Sequence, residues 1–217
     1  MNEQPDTQRR DPRSRGDETR SAVLASGRLL FAQKGFDGAS VRDITSGAGV
    51  NLGAVTYHFG SKRGLYGAVL RAVLTPLVDR VGAVASAEGT SLDRLARVID
   101  VFFDHLAANP DMPRLMLQEI TAGKTPPPEV LAIVRRNAGH VVRILEGGRA
   151  DGTIRVAHPF LSALSVVSQP IFLAIAAPMI RELGGIDLTD PSARDAVADH
   201  VKAFVRAGLK APDEVTP

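Results

Sequence analysis

Apolar residues recur every three or four positions along most of the chain, the spacing of a helix with one buried face. We expect a first helix from about residue 17 to residue 34, with Gly35 as its terminating residue. Its predicted inner face is formed by Val23, Leu24, Gly27, Leu30 and Phe31. The same spacing predicts further helices at about residues 61–84, 91–108, 113–121, 128–147 and 191–209.

Glycine, proline and capping residues set the expected boundaries of these helices. Ser91 is the predicted cap of one helix, and Asn109-Pro110 ends it. Gly147-Gly148 together with Asp151-Gly152 is expected to form a turn, and Pro76 to kink the helix that contains it. Neither the alternating pattern of a strand nor an internal repeat is evident. The sequence therefore predicts an all-α protein of about nine helices.

The stretch from Ser40 to Leu65 predicts two short helices around a tight turn, followed by a third helix. Ser40 stands three residues before Asp43, a pair that suits a helix start. Gly49 is expected at positive φ in the turn, and Asn51 is expected to cap the second helix. Val55 should point inward. The outward side should then carry Leu52, Gly53, Thr56 and Tyr57.

This helix-turn-helix resembles the DNA-binding domain of TetR-family transcriptional regulators. The resemblance begins near Arg20 and extends over roughly 50 residues. It is carried by Leu30-Phe31, Gly35-Phe36, Ser40-Val41, Ile44, Ala48-Gly49-Val50, Gly53, His58-Phe59, Ser61-Lys62 and Leu65. Thr45 replaces the family's usual alanine, and Thr56 stands where tyrosine is commonest, with Tyr57 one place later. We expect both departures to affect contacts and not membership.

The resemblance implies an N-terminal helix-turn-helix head and a larger helical body that binds a ligand and forms a homodimer. We expect the head over residues 17–66 and the body over residues 67–217. In the family, positions matching Ser40, Tyr57, His58 and Lys62 commonly touch phosphate. The predicted recognition helix has almost no charge, which favours contacts by backbone amides, hydroxyl groups and apolar groups. The full set of expected DNA contacts is Ser40, Arg42, Asn51, Leu52, Gly53, Ala54, Thr56, Tyr57, His58 and Lys62.

Residues 156–180 contain no Asp, Glu, Lys or Arg, a length that by itself would suit a membrane span. A polar stripe of Ser162, Ser165 and Ser168, and Pro170 in the middle, argue against membrane insertion. A helix that is apolar nearly all round is also typical of a buried core or a dimer interface. The resemblance implies that this segment and the helix at residues 191–209 form a two-fold four-helix interface. The inner side of the last helix is predicted as Ala196, Val197, His200, Val201, Phe204 and Val205.

Charge is distributed unevenly, although the net charge of the 217 residues is only +2. Residues 1–66 hold ten Lys or Arg and seven Asp or Glu, whereas the remainder is nearly neutral. A mildly basic head suits DNA binding. Residues 1–16 are polar and arginine-rich, and we expect them to form a disordered tail. The absence of cysteine and of an N-terminal apolar segment leads us to expect a cytoplasmic protein without disulfides.

No enzyme motif is present, and the five histidines lack metal-ligand spacing, so we expect neither catalysis nor a metal or cofactor. For the body, the resemblance implies a cavity that binds a small-molecule effector. Apolar residues with a few polar ones suit an apolar or amphipathic ligand, although the same residues also suit an ordinary core. The candidate ligand contacts are Phe102, Phe103, His105, Met112, Met116, Gln118, Asn137 and Ser165.

Two functions remain open at this point. The first is a homodimeric repressor that binds a palindromic double-stranded DNA operator and is released by an effector. The second is a helical sensor or interaction protein whose body binds a protein partner, with little operator specificity. Operator-specific binding should exceed non-specific binding by on the order of 10³ or more, which separates the two.

Overall fold

The computed structural model describes residues 12–121, 123 and 125–211, and this part of the chain is all-α with ten helices. It divides into two compact units, one within residues 1–69 and one within residues 70–217. The helices are α1 (Pro12–Gly38), α2 (Val41–Gly47), α3 (Ala54–Phe59), α4 (Lys62–Ala85), α5 (Ser91–Ala108), α6 (Met112–Thr121), α7 (Pro128–Ala150), α8 (Pro159–Ile175), α9 (Ala177–Gly184) and α10 (Pro191–Leu209).

The N-terminal unit is built from α1, α2, α3 and the first turns of α4. Its core contains the fully buried side chains of Val23, Phe31, Ile44 and Leu65, at the spacing that the sequence indicates. Gly35 has φ 73° and ψ 175°, which interrupts the regular helix at the predicted residue. The beginning of α1 was mispredicted, because the helix starts at Pro12 and includes residues 12–16 of the expected disordered tail. The rest of that tail lies outside the described residues.

The C-terminal unit is organised around α5, which packs against α7, α8 and α10. The apolar spacing of α5 predicts an inner face, which is confirmed because all its members are buried except the half-buried Leu92: Leu92, Leu95, Val98, Ile99, Phe102, Phe103 and Leu106. The cap was mispredicted. Thr90, and not Ser91, accepts a hydrogen bond from the backbone N–H of Asp93 at 3.1 Å. Ser91 is the first residue of the helix and is buried.

Helix α7 continues through the expected Gly147-Gly148 turn to Ala150, so that prediction was wrong. Gly148 is buried against neighbouring side chains. A methyl group on its Cα would lie 2.7 Å from Ile154 Cδ1 and 2.8 Å from Ser91 Cβ. The glycine is therefore required by the close approach of α7 to the start of α5. The turn follows at Asp151–Gly152, where Gly152 has φ 78°.

The end of α10 is tied to the segment after α7 by backbone hydrogen bonds. Arg155 donates from its N–H to the carbonyl of Leu209 at 2.8 Å, and Ala211 donates to Thr153 at 3.2 Å. Ile154 and Lys210 form an isolated antiparallel bridge. These bonds satisfy backbone groups that would otherwise be left unpaired at the end of a helix.

The uncharged segment forms two helices, which is why the described chain has ten helices and not about nine. Pro170 lies inside α8 without ending it, and the break comes at Ala176, before the proline-containing first turn of α9. Within the described residues, no single helix is long and apolar enough to cross a membrane. Only the pair α8 and α9, bent by 71°, would reach that length and apolarity together.

Two different sides of α10 carry the residues predicted for one face. Val201 and Val205 are buried in a core cluster with Ile99, Phe103 and Val166. Ala196, His200 and Phe204 are exposed, and Phe204 keeps 65% of its surface accessible. The periodicity therefore identified an apolar band that is wider than the surface this chain buries by itself.

The close contact at Gly148 gives a prediction about stability. In Gly148→Ala the new methyl group would overlap the side chains of Ile154 and Ser91, and we expect a loss of about 1–3 kcal/mol in the free energy of unfolding. The matched control is Gly147→Ala, in which the methyl group meets its nearest neighbour at an ordinary 3.7 Å. That variant should be neutral or up to about 1 kcal/mol more stable.

Urea denaturation followed by far-UV circular dichroism at one fixed protein concentration measures both variants. Equal stability of the two alanine variants would contradict a close helix approach at Gly148.

Candidate nucleic-acid interface and apolar cavity

The turn between α2 and α3 is held by backbone hydrogen bonds and one left-handed glycine. Gly49 has φ 66°, as the sequence predicts. On either side of it, the N–H of Ala48 donates to Ile44 at 3.0 Å and the N–H of Val50 donates to Thr45 at 3.0 Å. These bonds close the end of α2 and turn the chain at once toward α3.

The start of α2 is capped as predicted. The hydroxyl oxygen of Ser40 accepts a hydrogen bond from the backbone N–H of Asp43 at 3.0 Å. Hydrogen bonding with Ser40 and the nearby Lys34 ammonium, 3.4 Å away, lower the pKa of the exposed Asp43 carboxyl group. Ser40 itself remains exposed.

The start of α3 differs from the prediction. Gly53 occupies the N-cap position, and because it has no side chain the helix start has no side-chain cap. Asn51 contributes its backbone carbonyl, which accepts from the N–H of Ala54 at 3.1 Å, and not its side chain. The Asn51 side chain is exposed, three residues before the first residue of the helix.

The exposed side of α3, counted together with the two residues before the helix, is formed by Leu52, Gly53, Thr56 and Tyr57, as the sequence predicts. Leu52 is 60% exposed and Tyr57 is 84% exposed, so neither side chain serves the core of this unit. Val55 is buried, as expected. The expected DNA contact by Ala54 must be corrected, because the Ala54 methyl group is also buried and is not presented to a DNA groove.

Aromatic rings and cations surround this exposed side. The ring of the half-buried His58 lies edge-on to Tyr57, with centroids 4.8 Å apart. Lys62 Nζ lies 4.6 Å from the centroid of the Phe36 ring. Arg42 is exposed on α2. The attraction between a cation and a ring face holds the Lys62 ammonium group beside Phe36.

Two cations beside this surface were missing from the predicted contacts. Arg63 lies over the Phe36 ring at 5.5 Å, and Arg20 lies over the Phe59 ring at 5.2 Å. Arg63 was left out of the expected contacts, although its place after Lys62 at a helix start, where positive charge is unfavourable, indicates a neighbouring phosphate. Arg20 is far away in sequence, and only the folded unit brings it to Phe59.

Thr45 has a structural explanation that differs from our expectation. Its side chain is buried, and its hydroxyl group donates to the carbonyls of Val41 at 3.0 Å and Arg42 at 3.2 Å within α2. This departure from the family's usual alanine therefore affects packing inside the unit and not an outward contact.

The C-terminal unit contains an apolar cavity of about 710 Å³. It lies among α4, α5, α6, α7 and α8, and its walls are mainly aliphatic. The lining residues are Leu74, Leu77, Val78, Phe102, Met112, Met116, Glu119, Ile120, Pro126, Val130, Ile133, Val134, Asn137, Leu164, Val167, Ser168, Ile171, Phe172 and Ile175.

Four of the eight predicted ligand contacts belong to this lining: Phe102, Met112, Met116 and Asn137. Asn137 Oδ1 is buried and has no hydrogen-bond partner among the described residues. The lining also includes two further polar residues, Glu119 and Ser168, the second of which belongs to the predicted polar stripe. Ser168 donates its hydroxyl hydrogen to the carbonyl of Ser165 at 3.2 Å.

The other four predicted contacts lie elsewhere. Phe103 is part of the core between α5, α8 and α10. His105 is buried, and its Nε2–H donates to the carbonyl of Val73 at 2.9 Å, so its role is to join α5 to α4. Ser165 lines a smaller groove beside α10, and Gln118 is not among the residues that line the cavity.

Comparison with known proteins follows the same division of the chain. Residues 23–69 match the family model described as bacterial regulatory proteins, tetR family. Residues 92–205 match the model of a tetracyclin repressor-like C-terminal domain. The second match alone covers more than half of the chain.

A relative with a similar sequence supports the same family. Over 101 residues the chain is 38% identical to the HTH-type transcriptional repressor Rv3405c of Mycobacterium tuberculosis, covering 46% of this chain and 54% of that protein. The match thus spans about half the length of that relative.

Two solved structures share the fold. A regulatory protein of the tetR family from Rhodococcus RHA1 superposes with a TM-score of 0.74 at 20% identity, covering 90% of this chain and 98% of that one. FadR from Bacillus subtilis, solved with stearoyl-CoA, superposes with a TM-score of 0.72 at 17% identity, covering 87% and 98%.

The left-handed turn before α3 gives a prediction about the N-terminal unit. A methyl group at Gly49 would meet no atom within 4 Å, so Gly49→Ala tests the positive φ alone. We expect a loss of about 1–2 kcal/mol, the cost of a left-handed conformation for alanine. Gly53→Ala is the control, because Gly53 has φ −69° and can accept alanine without strain.

Hydrogen exchange of the amides in α2 and α3, measured for both variants, reports the stability of this unit locally. Protection that is unchanged in Gly49→Ala would contradict the turn geometry.

Proposed function

Because the chain belongs to the TetR family of transcriptional regulators, we propose that it binds a palindromic DNA operator as a homodimer and is released by a small effector. The observation that carries this proposal is the exposed surface formed by α3 and the two residues before it, where Tyr57 and Leu52 leave most of their surface accessible after a tight turn. Large apolar side chains in such a position are typical of a binding surface.

In this proposal α3 enters the major groove. Leu52 and Thr56 contact base edges and thymine methyl groups, with help from the backbone at Gly53. Ser40, Arg42, Tyr57, His58 and Lys62 contact phosphates and fix the register. Asn51 is also proposed as a DNA contact, because its side chain is exposed. Arg20 and Arg63 are added as neighbouring cations.

A homodimer explains the apolar surface that the chain leaves uncovered on α8 and α10. Phe204 on α10 is 65% exposed and Phe172 on α8 is 62% exposed, and Phe160 and Leu161 at the start of α8 are also largely exposed. Burial of such side chains contributes about 25 cal/mol per Å² of apolar surface. A second copy that presents the same two helices would cover this surface with a self-complementary one.

The apolar cavity is the proposed effector site. Its volume lies within the range of about 300–1,000 Å³ that small-molecule sites occupy. An effector that binds better to a conformation unable to hold both half-sites would shift the population away from DNA. The similarity to Rv3405c, a protein named as a transcriptional repressor, supports negative regulation.

Selection of bound sequences from random DNA with purified protein tests the central claim. We expect an enriched palindrome whose half-sites are about one helical turn apart, bound roughly 10³-fold or more above competitor DNA. Enrichment of no sequence would instead favour the alternative of a sensor whose body binds a protein partner.

Lys62 provides a prediction about phosphate contact. Lys62→Ala should weaken all DNA sequences about equally and lower the slope of log affinity against log salt by roughly one. Lys62→Arg is the matched control, since it retains the charge and the contact with the Phe36 ring. Binding is measured by fluorescence anisotropy at several salt concentrations. A changed sequence preference at unaltered slope would argue against the assignment.

Phe204 provides a prediction about assembly. Phe204→Glu would place a charge in the proposed apolar interface and should produce monomers. Ala203→Glu adds the same charge at the preceding exposed residue, which points in another direction on α10, and should leave the dimer intact. Sedimentation velocity measures both. Dimeric Phe204→Glu protein would show that this face is not the interface.

A further inference from the structure

We infer that the effector cavity is completed by the second copy of the homodimer, whose α8 covers the mouth of the cavity and shields the bound effector from water. This inference rests on the proposed homodimer and the proposed effector cavity. It adds a regulatory consequence, because filling the cavity then strengthens the dimer. The effector releases DNA from an intact dimer and not by separating its two chains.

The cavity has a buried floor and an exposed mouth, which are formed by different helices. The floor is supplied by α4 and α5, where Leu74, Leu77 and Phe102 are buried. At the mouth, where α8 packs against α6 and α7, the lining residues remain exposed. They are Ile120, Val134, Leu164, Ser168 and Phe172. Ile120 and Phe172 keep 74% and 62% of their surface accessible, so an apolar ligand held by one chain would still meet water at the mouth.

One exposed stripe of α8 borders both this mouth and the groove beside α10. Leu161, Ser165, Ser168 and Phe172 are exposed and follow one another at helical intervals, which places them on one side of the helix. Ser168 and Phe172 line the cavity, whereas Ser165 lines the groove. The stripe therefore lies between the two openings, and a molecule that covers it also covers the edge of each.

The groove beside the stripe favours a second copy as the covering molecule. It has a volume of about 220 Å³, and Phe204, which lines it, is largely exposed. A recess and a projection on the same surface are what a two-fold contact between identical chains needs. Gly208 enlarges the recess, since a methyl group on its Cα would meet no atom within 4 Å. Residues 156–180 carry no charge, so two copies that present this surface do not repel each other.

A partner helix on the stripe is wide enough to reach the mouth. Packed helices lie about 8–10 Å apart between their axes, and a helix with its side chains is about 10–12 Å wide. A helix of this width that follows the stripe extends beyond it on both sides, over the groove and over the mouth. Phe172 then lies between the cavity and the partner and contacts both.

This arrangement links effector binding to dimerisation. If a ligand binds each cavity of the dimer more tightly than the cavity of a single chain, the bound ligand must strengthen the dimer in return. A tenfold difference in affinity at each of two cavities lowers the dissociation constant of the dimer by about 100-fold when both cavities are filled.

A single tryptophan at the mouth tests the cover without any ligand. The chain has no tryptophan, so Phe172→Trp reports from this position alone. Its quenching by acrylamide should be several times weaker in the dimer than after dilution to monomers or in combination with Phe204→Glu. Tyr57→Trp, in the N-terminal unit, is the control, and its quenching should not change with dimerisation. Equal quenching of Phe172→Trp in monomer and dimer would overturn the inference, even if a dimer forms through another face.

Nile red, an uncharged apolar dye whose fluorescence increases in apolar surroundings, measures the linkage with the full-length protein. It should bind the wild-type dimer roughly tenfold or more tightly than the Phe204→Glu monomer, although Phe204 is not among the residues that line the cavity. Ala203→Glu is the matched control, which should remain dimeric and bind the dye as the wild type does. Analytical ultracentrifugation at saturating dye should give a wild-type dimer dissociation constant lower by about 100-fold.

Two cavity-filling variants, Ile133→Trp and Val167→Trp, identify the dye signal that comes from the cavity. Both side chains line the cavity and are half-buried. Only fluorescence that is lost in a filled variant with an unchanged circular dichroism spectrum counts toward the affinities of dimer and monomer. Dye binding that persists in full in the folded, filled dimer would place the dye outside the cavity and overturn the inference.

Other outcomes separate this inference from the proposed function. Equal affinity of monomer and dimer for cavity-bound dye would show that one chain completes the cavity, and the effector site and the homodimer would both stand. A dimer weakened by the dye would reverse the linkage and overturn the inference in the same way. A monomeric wild-type protein, or one that binds no dye, would remove the homodimer or the effector site on which the inference rests. Operator binding by the same protein then decides the DNA-binding proposal separately.

Discussion

The C-terminal unit depends on the burial of α5, whose side chains meet α7, α8 and α10 on different sides. Ile99 and Phe103 contribute to the core shared with α8 and α10, whereas Phe102 faces the apolar cavity. Because one helix supplies both a packed core and a cavity wall, the position of the cavity is fixed by the same contacts that stabilise the unit. A ligand that alters the cavity must therefore act on helices that α5 holds together.

Much of the fold could be predicted from the sequence, since periodicity and local chemistry determine where helices form. The bounds of α10 and the positive φ of Gly49 were both predicted correctly. The errors occur where a residue has two uses that only tertiary contacts distinguish. Gly148 was interpreted as a turn residue, yet its missing side chain serves a close approach between helices. Ser91 was interpreted as a cap, yet Thr90 one residue earlier performs that role.

The two candidate sites differ in how far the sequence could define them. The exposed side of α3 follows from one short helix, in which the buried Ala54 and Val55 determine which neighbours point outward, although the sequence identified only Val55. The cavity is formed by five helices, and its lining depends on how they pack. Phe102 and Phe103 are adjacent in sequence but point to different places, one to the cavity and the other to the core. Ser168 and Ser165 are separated in the same way.

The few polar side chains of an otherwise apolar cavity have a consequence for discrimination between ligands. A purely apolar wall distinguishes molecules weakly, because one added or missing methylene group changes the binding free energy by only about 1–3 kcal/mol. Glu119, Asn137 and Ser168 in the lining add a different criterion. A ligand that takes water from such a polar group and offers it no partner loses binding free energy. Occupancy of the cavity therefore depends on the chemistry of the ligand, and not only on its size.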